Sequence, residues 1–122
     1  MIKKIFHILN IIFIFIYIYP GSIIGFLIYK DFNKQPQITA DFIVSSNHVY
    51  IFALLSILGF MNYYKNHKYL IISYLFLIAI FLELLHMTIP NRSFQFSDLF
   101  GNIVGILLSL LIFILYNFWR KK

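Results

Sequence analysis

A chain of 122 residues that is 61% hydrophobic, 20% aromatic and only 11% charged, with mean hydropathy +0.87, holds more apolar side chain than one small water-soluble domain can bury. Its net charge of +6 would suit nucleic acid on a polar domain, but no polar domain surrounds these charges, so nucleic acid is excluded as a partner and the lipid bilayer is expected instead. The lack of cysteine excludes disulfides and thiolate metal sites.

A hydrocarbon layer of roughly 30 Å needs about 20 helical residues to cross it. Four apolar runs approach that length, at about 5–29, 46–64, 69–87 and 99–119, and they predict an all-α bundle of four transmembrane helices forming a single membrane domain over 1–122. The first run opens as a signal peptide would, with Lys3 and Lys4 ahead of apolar residues. The run continues through Ile23 to Tyr29 without a small-residue cleavage site, so a retained helix is expected, kinked at Pro20 where the ladder lacks an N–H.

Charge gives the direction. Lys3, Lys4, Lys65, Lys68, Arg120, Lys121 and Lys122 flank alternate ends of the runs with no acid among them. Lys30, Lys34 and Arg92 flank the other ends, mixed with Asp31, Asp41 and Asp98. Positively charged short loops stay in the cytoplasm, so both termini are expected inside. Tyr29, Tyr63, Tyr64, Tyr69, Tyr116 and Trp119 fall near run ends, where amphipathic rings favour the headgroups. His7, His48 and His67 also lie near run ends and are expected to touch headgroups or solvent.

Among the four acids only Glu83 lies within an apolar run. An ionised carboxylate in hydrocarbon costs roughly 2.5–3.5 kcal/mol on insertion scales, so this side chain should face other helices. His86 follows at i+3 on the same helical face. At about 1.5 Å of rise per residue, Glu83 lies roughly 7–8 Å below the helix end, in the outer leaflet.

Pro90-Asn91 favours a tight turn that brings Arg92 back over Glu83. Ser97 is the expected N-cap of the fourth helix, with Asp98 against the positive end of its dipole. Asp98 and Asn102 are spaced i, i+4, and Gly101 with Gly105 forms a small-xxx-small pair for close helix packing. Glu83, His86, Arg92, Asp98 and Asn102 are therefore expected in one outer-leaflet pocket. A Glu-x-x-His pair without further ligands is an incomplete metal site, and neither a metal nor a cofactor is expected.

The stretch Glu83-Leu-Leu-His-Met-Thr-Ile-Pro-Asn-Arg-Ser-Phe-Gln-Phe-Ser-Asp-Leu-Phe-Gly-Asn-Ile-Val-Gly105 resembles the signature of VanZ-like membrane proteins. Glu83, Pro90, Arg92, Ser93, Asp98, Asn102 and Gly105 fall on the family pattern, with His86 in place of Gln and Asn91 in place of Gly. Upstream, Asn47 and His48 stand where the family has Asp-Lys, and Ile51 stands where it has His. The resemblance spans roughly residues 45–111 and implies a multi-pass protein of the bacterial cytoplasmic (inner) membrane, part of the cell envelope. The family's founding member is associated with antibiotic resistance, toward the glycopeptide teicoplanin.

Three functional readings stay open. A binding or modifying protein would use Arg92, Ser93 and Asn102 on a cell-wall precursor or anionic lipid headgroup. A membrane hydrolase or transferase would use Glu83 as general base, with Asp98 or His86 assisting and Arg92 stabilising negative charge, although Ser93 and Ser97 lack a recognisable triad. A non-catalytic accessory subunit would use an ion pair of Glu83 with Arg92 as helix glue and Gly101, Gly105 and Pro90 for packing.

Overall fold

The computed structural model describes residues Met1–Lys122 and is all-helical, without strands. The first apolar run is two helices, α1 (Ile2–Ile18) and α2 (Ile23–Tyr29), bent by 84° at the break between them. Pro20 drives the residue before it out of the helical region, and Tyr19 is extended (φ −70°, ψ 133°). Gly21 then takes φ 137°, where an L side chain would be strained. Ser22 starts α2 by accepting from the Gly25 N–H at 2.9 Å. The kink expected inside one continuous helix is thus a full break.

α3 (Ser46–Leu85) carries both middle apolar runs in 40 residues. If straight it would be about 60 Å long. It is instead broken at His67 (φ −137°, ψ 47°), and the limbs before and after that residue lie side by side. A β-carbon built on Gly59 would stand 3.0 Å from Ile71 Cδ1, and His48 and Ala79 both bond to the same residue of the next helix. Asp41 helps start α3, its Oδ1 accepting from the Ser46 N–H at 2.9 Å.

α4 (Phe96–Arg120) begins earlier than expected, at Gln95 rather than at Ser97. Ser97 lies inside the first turn, and its carbonyl accepts from the Ser45 N–H at 3.1 Å, tying the start of α4 to the start of α3. No side-chain cap closes the start of α4. Asp98 does stand in the first turn of α4, as the dipole favours.

α4 packs on α3, and α1 packs on α3. Phe52, Leu55, Phe60, Leu75, Ala79 and Ile106 form the centre of the core, joined by Phe6 and Tyr17 from α1. α3 and α4 are long and apolar enough to cross a membrane, and α1 with α2 makes a third candidate if the bent pair is one span. Leu107, Leu108, Leu111 and Ile112 are exposed on α4, a surface that suits lipid rather than water.

Close approach of α4 to α3 depends on its glycines. A β-carbon on Gly105 would stand 2.5 Å from the Val49 carbonyl oxygen and 2.9 Å from the Ala53 nitrogen, and one on Gly101 would stand 2.7 Å from the Ser45 carbonyl oxygen. Backbone cannot rotate aside as a side chain can. Gly105→Ala is expected to destabilise the bundle by about 1–3 kcal/mol through overpacking. Leu111→Ala, on the exposed face, should change stability by about 0.5 kcal/mol or less. Thermal unfolding of both variants in detergent checks the contrast.

Candidate functional site

The polar residues gather at the end of the bundle opposite His67. Asn102 is fully buried at their centre. Its Nδ2 donates to the Ala79 carbonyl at 3.2 Å, which fixes the orientation of the amide. Its Oδ1 then accepts from the Tyr17 hydroxyl at 2.9 Å and faces His48 Nδ1 at 2.8 Å. A carbonyl oxygen cannot donate, so His48 Nδ1 carries the hydrogen. The Tyr17 hydroxyl also touches His48 Nδ1 directly.

With Nδ1 engaged, the other ring nitrogen of His48 looks toward Asp98, Nε2 lying 3.6 Å from Oδ1. Asp98 comes from the first turn of α4, one turn before Asn102. His48 comes from the first turn of α3. The tie between Ser45 and Ser97 holds those two turns together, so the meeting of imidazole and carboxylate follows from the backbone.

Glu83 is fully buried on the second limb of α3. Its Oε1 accepts from the Gln95 N–H at 3.2 Å and lies 3.3 Å from His86 Nδ1. Its Oε2 is buried with no partner. His86 Nε2 donates to the Tyr17 carbonyl at 2.9 Å, and its ring stacks on the Tyr17 ring with centroids 5.4 Å apart. Both nitrogens of His86 are therefore occupied.

Arg92 does not pair with Glu83. Its Nε donates to the Tyr19 carbonyl at 3.1 Å, and its Nη2 donates to the carbonyls of Ile16 at 3.2 Å and Gly21 at 2.6 Å. The break between α1 and α2 leaves those carbonyls without helical N–H partners, and a planar guanidinium suits them. Burial lowers the pKa of Arg92 from its ordinary value, while neighbouring Tyr17, Glu83 and Asp98 work against that lowering. The expected ion pair is thus replaced by a clamp on the bend.

Other expected residues lie apart. Ser93 is exposed and joins none of these bonds. Pro90 is exposed too, and with Asn91 (φ 62°) it makes a turn closed by the Arg92 N–H on the Ile89 carbonyl at 3.2 Å, so it turns the chain rather than packing helices. Conversely, His48 belongs to the cluster rather than to the headgroups. Tyr17 has no local sequence mark, being one of nine tyrosines and far from a run end. The first two apolar runs therefore supply part of the site.

A cavity of about 190 Å³ adjoins the cluster, with Tyr17, Ser22, His48, Ile51, His86 and Arg92 on its wall. Beside it, His48, Glu83 and Asp98 each offer one ligating atom, and these atoms lie within 4.8 Å of one another. Asn102 is the common anchor.

An all-helical chain with apolar helices of membrane-crossing length, folded round a buried cluster of imidazole, carboxylate and amide, defines a membrane protein with a buried polar site. The chain belongs to the VanZ/LLP1 family, whose sequence model matches residues 4–117. That match takes in α1, which the VanZ-like signature itself does not reach. No curated protein and no solved structure matches the chain.

The Arg92 clamp can be tested by substitution. Hydrogen bonds to a charged group each contribute about 1.5–3 kcal/mol, and a lysine cannot reproduce the guanidinium fork. Arg92→Lys is expected to lose roughly 2–3 kcal/mol of stability although it keeps the charge. Unfolding in detergent, together with faster proteolysis near Pro20, reads the loss.

Proposed function

We propose that this protein crosses the bacterial cytoplasmic membrane four times with both termini inside, and that its cavity binds or modifies an anionic lipid-linked or peptide component of the cell wall at the outer face. Teicoplanin tolerance would follow from that action. The four crossings are α1 with α2, the two limbs of α3, and α4. Lys3 lies over the Tyr63 ring and Lys68 over the Tyr64 ring, so the N-terminus and the His67 break share one basic end. Tyr64 also meets Phe113, which brings the basic C-terminal turn of α4 toward that end. By the positive-inside rule this end is cytoplasmic, and the cavity end faces out.

The observation that carries the reading is the make-up of the cavity wall. His48, His86 and Arg92 stand beside Ile51, Ser22 and Asn47, so groups able to bind an anion line a space that apolar side chains also share. Arg92 spends Nε and Nη2 on the bend, and its Nη1 takes no part in those bonds. A guanidinium held in this way can donate from Nη1 to a phosphate or carboxylate oxygen without losing its structural role. Membership of the VanZ/LLP1 family agrees with an envelope function.

A second reading, a membrane hydrolase or transferase, draws on one further observation. Glu83 Oε2 is buried without a partner, and an unengaged carboxylate oxygen can take a proton from water or a hydroxyl. Asp98 beside His48 would then assist, and Arg92 would stabilise developing negative charge.

Expression in a susceptible bacterium tests both readings. Wild type should raise the teicoplanin concentration needed to stop growth. Ile51→Trp, which fills the cavity, should remove that rise at unchanged membrane abundance. No rise with wild type, or full tolerance with Ile51→Trp, overturns the binding proposal. For the enzyme reading, turnover of labelled lipid-linked precursor by membranes should be lost in Glu83→Gln, and turnover that persists there rejects it.

A further inference from the structure

We infer that His48, Glu83 and Asp98 form a binding site for one divalent transition-metal cation, of the zinc or manganese class. Three segments bring the ligands together: the first turn of α3, the second limb of α3 and the first turn of α4. Their ligating atoms already lie within 4.8 Å of one another. A cation bound at roughly 2.0–2.2 Å from nitrogen and oxygen holds its ligands roughly 3–3.5 Å apart, so closure needs side-chain movement of about an ångström. His48 and Asp98 are partly exposed, with side chains 13% and 18% accessible, and have room to make it.

Two features of the site ask for a cation. The first is the orphaned Glu83 Oε2, buried without a hydrogen-bond partner in a residue that is 0% exposed. A carboxylate oxygen left this way in a low-dielectric interior carries a desolvation cost that a metal ion would remove. The second is the tautomer of His48. Asn102 Oδ1 holds a hydrogen on Nδ1, so Nε2 is the ring nitrogen available as a ligand, and it faces the Asp98 carboxylate. A cation placed between Nε2 and that carboxylate would be bound by both.

No lysine or arginine supplies that charge. The basic groups within 4.0 Å of Glu83 and Asp98 are the imidazoles of His86 and His48, and Arg92 is turned to the carbonyls of Ile16, Tyr19 and Gly21. One histidine and two carboxylates balance a divalent cation and fit borderline ions. The arrangement also has the outer support that metal sites use: Asn102 orients His48 through Nδ1, and the Gln95 N–H orients Glu83 through Oε1. His86 is not a ligand, because its two nitrogens are engaged with Glu83 and with the Tyr17 carbonyl.

Three protein ligands leave coordination positions for water or for an anionic group. His48 belongs both to this cluster and to the cavity wall, so the cation site and the cavity adjoin. The site stands on its own geometry and holds whatever the cavity binds.

The test uses the full chain, purified in detergent without a histidine tag and loaded separately with Zn²⁺ and Mn²⁺. Wild type should retain one equivalent after gel filtration, measured by elemental analysis. His48→Gln and Asp98→Asn should each weaken binding by about 100-fold or more, and Asn102→Ala by about 10–100-fold through loss of ligand orientation. His7→Gln and His67→Gln, at the opposite end, should bind as wild type does. Pulsed electron paramagnetic resonance of the Mn²⁺-loaded wild type should show coupling to a single imidazole nitrogen, a readout that needs no variant to fold. Absence of stoichiometric uptake, absence of that nitrogen coupling, or unchanged affinity in a folded Asp98→Asn overturns the site. Because metal content is measured rather than tolerance, failure here leaves the proposed envelope function separately testable.

Discussion

Hydrocarbon offers no water to satisfy a stray polar group, so a buried side-chain amide must find partners for both of its ends. Asn102 does so by donating to Ala79 on the second limb of α3 and accepting from Tyr17 on α1, with His48 of the first limb at the same oxygen. One side chain thereby links three other stretches of chain to α4. Gly101 and Gly105, on either side of it, allow the backbones to come near enough for those bonds to form. Tyr17 and His48 both take their place in the site through this link.

The amide also governs chemistry at a distance. By holding the hydrogen on His48 Nδ1 it dictates which nitrogen meets Asp98, and by drawing in the Tyr17 hydroxyl it sets the ring against which His86 stacks. The imidazoles and carboxylates are then arranged by packing rather than by mutual attraction. Groups fixed in this way need little rearrangement when a ligand or cation arrives.

Much of the fold was legible because the bilayer imposes length on apolar segments. The middle runs, the basic break between Lys65 and Lys68, and the tie of Asp98 and Asn102 to one helix face all stand in the structure as spacing implies. The signature from Glu83 to Gly105 was equally legible, and the family match over residues 4–117 supports it. The pairing of Arg92 with Glu83 expected from the turn fails because the actual partners of Arg92 are carbonyls, which every residue possesses and no sequence pattern marks. His48 reads as a headgroup residue because it lies near a run end, yet its spacing of three from Ile51 keeps both on one helical face, and both reach the cavity. Tyr17 carries no mark among the nine tyrosines, since only the path of α1 across α3 brings its hydroxyl to Asn102.

The hold of Arg92 on the bend has a consequence for how the sequence can vary. Its acceptors are main-chain carbonyls at positions 16, 19 and 21, so the side chains at 16 and 19 can change without altering the contact, while the φ of Gly21 restricts that position for its own reason. The requirement therefore falls on one partner only. Correlated substitution, the usual mark of two residues that touch, will not appear between Arg92 and the segment it secures, and this long-range contact stays silent to any comparison that reads contacts from paired changes.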